Sequence, residues 1–176
     1  YKRLEKIVGA YGCSSLDEME IGECEVAPVE IDNGRATRPF ETITRLYGMP
    51  SPKDVDPTMF LAPFFALFFG LCLTDAGYGL IMVALLGWLL KKLQGDKGIL
   101  WMFMGCSIVT VFAGALTGGW FGDAIPTLLG KESGLNLLVL KMTLFNPMEN
   151  PVPFFMISLG LGYIQILFGL GIAFFN

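Results

Sequence analysis

Histidine is absent from this 176-residue chain, and charge of either sign is scarce: 16% of residues are Asp, Glu, Lys or Arg, against 53% hydrophobic. Without His, and with Cys13, Cys24, Cys72 and Cys106 scattered and no Cys-x-x-Cys pair among them, the four close ligands of a zinc site are not on offer. No nucleophile–base pair, phosphate-binding Gly-Lys-Ser/Thr loop or dinucleotide fingerprint occurs, so no cofactor is expected and nothing here hydrolyses ATP. A net charge of −4 gives no basic footprint for nucleic acid. Soluble domains carry about 25% charged residues, so the deficit, with a mean hydropathy of +0.59, points to the lipid bilayer as the main solvent.

The charge that is present sits at one end. Residues 1–56 hold seven Lys or Arg and eleven Asp or Glu, leaving ten charged residues for the other 120, and no Arg follows Arg45. The pattern predicts a soluble segment, 1–56, joined to a membrane domain, 57–176. The chain starts at Tyr1 and stops inside an apolar run at Asn176, which reads as a piece cut from a longer polypeptide. Within the first segment, Lys2 to Ala10 has helical character that Gly12 could end. Cys24 to Ile31 alternates as a strand would, and Asp32-Asn33-Gly34 reads as a turn. Pro50, Pro52 and Pro57 make a stiff approach to the membrane.

The first apolar stretch, Phe60 to Leu90, has 31 residues and one charge, Asp75, at its centre. As one helix it would reach ~46 Å, against a hydrocarbon core of ~30 Å. Two readings remain: a long tilted helix with Asp75 buried, or a hairpin of helices at about 60–75 and 77–92 folded at Thr74-Asp75-Ala76-Gly77, whose Asp and Gly are turn formers. Arg35, Arg38, Arg45 and Lys53 precede the stretch, and Lys91, Lys92 and Lys97 follow it. The positive-inside rule places both flanks in the cytoplasm, which favours the hairpin.

Gly98 to Phe121 is uncharged over 24 residues and predicts a spanning helix. Thr110, Gly114, Gly118 and Gly122 recur every four residues, so these glycines are candidates for close helix packing on one face. The loop 123–151 has two Lys against three acids, as an extracytoplasmic loop would, and Leu135–Phe145 could lie in the interface. Asp123 reads as a solvated boundary residue. Val152 to Phe175 predicts a last spanning helix, with Gln165 as its one strongly polar side chain. The fold class expected is thus an all-α polytopic membrane protein of about four transmembrane helices, the first two a short hairpin. An ionisable side chain at membrane depth is a functional candidate by default. Asp75 is therefore either an ion or proton relay or a carboxylate capping backbone N–H groups at a broken helix, and the surrounding glycines favour the cap. Gln165 either bridges helices or lines a polar path. Cys72 and Cys106 read as small packing residues.

Pro39-Phe40-Glu41-Thr42-Ile43-Thr44-Arg45-Leu46-Tyr47-Gly48-Met49-Pro50, then Asp56-Pro57-Thr58, then the run from Pro63 to Leu80 (PFFALFFGLCLTDAGYGL) closely resemble the V-type ATP synthase subunit I family, the bacterial and archaeal counterparts of the vacuolar ATPase a subunit. Thr117 to Asp123 (TGGWFGD) is similar to the family's next helix. The resemblance covers about residues 37–176, while the first 36 fit loosely as the end of a cytoplasmic α/β stalk-binding domain. It implies a multi-pass subunit of the cell membrane with residues 1–56 in the cytoplasm. Such a subunit is the stator of a rotary ATPase that moves H⁺ or Na⁺, with c-ring proteolipid subunits, peripheral stalk subunits and other rotary ATPase subunits as partners. The family's ring-facing arginines lie on later helices, so none carries over to this sequence. The expected role is a non-catalytic one, scaffolding the channel. A self-contained secondary ion transporter and a non-transporting membrane anchor are the competing classes; the first predicts a repeated broken-helix pair, of which one copy is visible.

Overall fold

The computed structural model describes residues 2–9, 29–52, 54–122, 124, 127 and 134–175. Helix α1 covers Lys2–Val8. After an irregular stretch from residue 29, a 3₁₀ turn at Arg38–Phe40 leads into α2, Glu41–Tyr47, which Gly48 ends at φ +131°. Helix α3 is Thr58–Leu73, α4 is Ala76–Lys92 and α5 is Gly98–Thr117. Helix α6 is Gly134–Met142 and α7 is Pro151–Phe175.

The direction of each helix follows from what it touches. A methyl group added at Gly70 of α3 would meet Val109 and Thr110, whereas Ala62, nearer the start of α3, clusters with Met102 and Cys106. Helix α3 therefore runs parallel to α5. Gly79 of α4 lies against Val111 and Gly87 near Met104, so α4 runs back antiparallel to α5. The chain reverses between Leu73 and Ala76, and both arms pack chiefly on α5 rather than on each other. Glycine at 70 and 79 lets the backbones approach closely: a Cβ would come within 2.9 Å and 2.8 Å of valine side chains. Helix α7 meets α3 through Phe168, whose ring lies 5.3 Å from Phe60 and 5.9 Å from Phe64; much of its remaining surface is exposed.

The core departs from the division at residue 56. Phe40 and Ile43 are buried in one cluster with Ala62, Met102 and Cys106, and Phe40 meets Phe65 edge to face at 6.1 Å. Polar ties reinforce the docking. The hydroxyls of Thr44 and Thr58, both buried, share a hydrogen bond of 2.6 Å. Asn33 Nδ2 donates to Asp56 Oδ2 at 2.6 Å, and Asp56 Oδ1 accepts the Thr58 N–H at 2.8 Å, covering one of the open donors at the start of α3. Burial pushes the Asp56 carboxyl up, but hydrogen bonds from Thr58 and Asn33 outweigh it and hold the group below the usual carboxylate range.

Three expectations need correction, and the count of about four membrane helices is met only in part. No strand occurs among the described residues, so the α/β character expected before residue 57 is not seen there; residues 24–28 of the strand reading, with Gly12, Cys13, Cys24 and Asp123, lie outside the described part. Among the described residues, two helices, Gly98–Thr117 and Pro151–Phe174, are long and apolar enough to cross a membrane, while Thr58–Leu73 is apolar but shorter. The helix expected to run to Phe121 stops at Thr117, where Gly118 turns left-handed at φ +77°. Cys106 is buried, but Cys72 is exposed, because only one face of α3 meets α5.

Candidate functional site at the Asp75 elbow

Helix α3 ends in a sequence that cannot continue it smoothly. Thr74 takes a left-handed conformation (φ +43°, ψ +31°), unusual for a β-branched residue, and Asp75 is extended (φ −134°, ψ +112°). Asp75 is then the N-cap of α4: its Oδ1 accepts the Tyr78 N–H at 3.1 Å. The same oxygen accepts the Phe121 N–H at 3.0 Å, and Oδ2 accepts the Gly122 N–H at 2.9 Å. One carboxylate thus satisfies a backbone donor of its own helix and two donors that lie 46 and 47 residues further along the chain, at the positive end of a helix where an anion is favoured.

The backbones themselves interlock around it. Ala76 N–H donates to the Gly119 carbonyl at 2.7 Å, and the Thr117 hydroxyl lies 3.4 Å from the Thr74 carbonyl. Gly114 faces the Ala76 nitrogen and Gly119 faces the Thr74 carbonyl so closely that a Cβ at either would collide with main chain. The Phe121 ring packs edge to face on Tyr78 at 5.5 Å and fills the space over Gly77. Phe121 is itself left-handed, at φ +55°. Leu144 N–H donates to the Leu116 carbonyl at 2.8 Å, bringing the 143–148 turn alongside. Between them lies a cavity of about 180 Å³ bordered by Asp75, Thr117, Gly122 and Asn146.

With both carboxylate oxygens engaged by main-chain donors, the group is chemically a fixed anion clamping two loops. Hydrogen bonds to charged groups contribute roughly 1.5–3 kcal/mol each, and here they hold two left-handed residues in place. Among the described residues no cluster of three or more His, Cys, Asp or Glu could hold a metal ion.

Comparison with known proteins gives this arrangement a family. No family model matches the chain. The A-type ATP synthase subunit I of Methanothermobacter thermautotrophicus is 33% identical over 164 residues, 89% of this chain and 24% of the relative. That of Methanocaldococcus jannaschii is 32% identical over 171 residues, 85% of this chain and 25% of the relative. The chain belongs to the A/V-type ATP synthase subunit I family. The V-type ATP synthase subunit I of Chlamydia trachomatis is also similar, 28% identical over 159 residues, covering 85% of the chain and 24% of the relative. The chain spans about a quarter of the length of the curated relatives it matches.

Of the residues singled out in the sequence, Asp75, Gly114, Gly118 and Gly122 converge on the elbow. Gly118 and Gly122 do so from beyond the end of α5, in left-handed conformations, so they do not extend a helix-packing face beyond Gly114. Gly118 would place a Cβ against Thr143, and Gly122 supplies an N–H to Asp75. Gln165 lies apart, on an exposed face of α7. The sequence placed Thr74 only in the turn, and Thr117, Gly119 and Phe121 only in the family-like run, without joining the two. The signal was the paired Gly118-Gly119 directly after a helix, which marks a C-cap followed by a close main-chain approach.

Proposed function

We propose that this chain is the scaffolding part of a stator subunit in the membrane sector of an A/V-type rotary ATPase, multi-pass, with residues 1–56 and the α4–α5 turn on the cytoplasmic side. The observation that carries it is the Asp75 elbow. The elbow lies level with the C-terminal end of α5, beside Thr117 and Gly119, and Gly87 of α4 has returned to the level of Met104. Helix α5, 20 residues, is ~30 Å long and matches the hydrocarbon thickness. The two shorter arms therefore cover nearly the same layer, and four crossings in alternating directions follow once α7 is counted.

On this reading the carboxylate sits at the far interface rather than at mid-membrane, which removes the main physical reason to make it a relay. Its work is to lock the hairpin to α5. The docked 38–47 segment ties that bundle to the cytoplasmic region where stalk subunits would attach. Coupled transport of H⁺ or Na⁺ and contact with a c-ring belong to the full-length subunit within its complex.

The test is replacement of Asp75 by Asn in the full-length subunit. Lower assembly of the complex is expected, with ATP-driven ion flux per assembled complex unchanged. A complex that assembles normally but has lost coupled flux would sink the scaffold reading in favour of a relay. Thiol labelling of single cysteines at positions 47, 94 and 148 in sealed vesicles should mark the first two from one side and the third from the other.

A further inference from the structure

A second site lies at the opposite end of the bundle. A groove of about 870 Å³ opens between the 3₁₀ turn and α2 on one side and the start of α5 on the other, within the roughly 300–1,000 Å³ typical of small-molecule sites. Four cationic side chains line it, Arg35, Arg38, Arg45 and Lys97, against two acids, Glu41 and Asp96. Both acids already have work: Glu41 Oε1 accepts the Asn33 N–H at 3.3 Å, and Asp96 Oδ1 accepts the Gly98 N–H at 3.0 Å. Lys97 donates to the Leu90 carbonyl at 2.8 Å, which leaves two of its three donors. The three guanidinium groups form no hydrogen bond or ion pair with any described residue and are exposed.

The apolar surroundings say what kind of anion would come. Trp101, 54% exposed, borders the groove. Leu46 and Tyr47, next to Arg45 on α2, are 84% and 85% exposed. Exposed aromatic and aliphatic side chains beside basic ones, at the end of an apolar helix, are the composition of a bilayer interface. A soluble phosphate would use the cations and gain nothing from this rim; an acidic protein segment would leave Trp101 facing lipid.

We propose that this groove binds the phosphate headgroup of an anionic phospholipid from the cytoplasmic leaflet, with Arg35, Arg38 and Arg45 as its ligands and Trp101 against the glycerol and upper acyl region. The inference rests on the membrane topology given above. Planar guanidinium groups donate to phosphate oxygens two at a time, and each basic side chain near an anionic surface changes association by about fivefold.

The experiment is spin-label electron paramagnetic resonance on the full-length subunit in its complex, reconstituted in phosphatidylcholine with trace spin-labelled phosphatidylglycerol or phosphatidylcholine. The native complex should immobilise the anionic probe several-fold more than the neutral one. An Arg35→Gln, Arg38→Gln, Arg45→Gln triple variant should lose most of that preference, while Lys141→Gln, outside the groove, keeps it. If the triple variant does not assemble, the Arg38→Gln and Arg45→Gln single variants should each lower the preference measurably. An undiminished preference in these variants overturns the groove as the site. Abolition of the preference by 50 mM inorganic phosphate at constant ionic strength overturns the lipid in favour of a free anion. A preference seen for the isolated subunit but not the complex overturns it in favour of a protein partner. Absence of any immobilised lipid, of either headgroup, would instead fail the membrane topology itself.

Discussion

Single side chains at the elbow divide into those that bond and those that must be missing. Asp75 receives three backbone N–H groups. An Asn there keeps one acceptor oxygen but points an NH₂ at donors, so Asp75→Asn should lower stability by about 1–3 kcal/mol, read by thermal unfolding in detergent. Gly114 is the complementary case. A methyl group would strike the Ala76 nitrogen, so Gly114→Ala should cost about 1–3 kcal/mol by overpacking. Gly105, in the same helix, has open space where a Cβ would go. Gly105→Ala should be neutral or stabilising by up to about 1 kcal/mol through helix propensity. The contrast between two glycines nine residues apart on α5 isolates close approach from helix propensity.

The elements are held to one another by few but specific polar ties, and the best exposed to test is the docking of the 29–47 segment on α3. Thr44→Val leaves the buried Thr58 hydroxyl without its 2.6 Å partner, and should cost about 1–2 kcal/mol. The Thr44→Val, Thr58→Val pair should cost less than the two singles combined, since no buried hydroxyl is then stranded. Asp56 adds a pH dependence of known sign. Its folded pKa lies below the ordinary 3.8, so its contribution is fully present above the unfolded value and is lost as pH falls through the folded one. Proteolysis of the 48–57 linker should accelerate as pH drops below about 4, and Asp56→Asn should flatten that part of the profile. A linker equally resistant at pH 3 and pH 7 would contradict the role given to Asp56.

For the molecule as a whole, α5 is the organising strut: α3 and α4 lie on it in opposite directions, and the 38–47 segment closes over its start. Helix propensity would have allowed Phe60–Leu90 to run on; the break at Thr74-Asp75 is stable because the far end of α5 supplies main-chain partners for it. Helix α7 meets α3 through Phe168 alone among the described ring contacts, and most of its apolar surface is exposed. Removing α7 should therefore lower the melting temperature of the α3–α5 bundle far less than Gly114→Ala does, a comparison that differential scanning fluorimetry of the two variants would make.

The sequence by itself determined where apolar runs begin and end, that Asp75 interrupts one of them, and that charge is concentrated before residue 57, because hydropathy and turn chemistry are local properties. The family followed from the same local text, in the run around Asp75 and in the glycines after α5. What only the tertiary structure decided was the partner of each interruption. Gly118 and Gly122 share a four-residue spacing with Gly114, yet they belong to a loop, because Gly118 leaves the helix and Asp75, more than 40 residues earlier, accepts the N–H groups that follow. Phe40 and Ile43 read as part of a soluble segment, yet they complete the core between α3 and α5, because Ala62 and Cys106 leave room for them. Spacing fixes which residues can share a helix face; only the folded chain fixes where the helix stops and what meets it there.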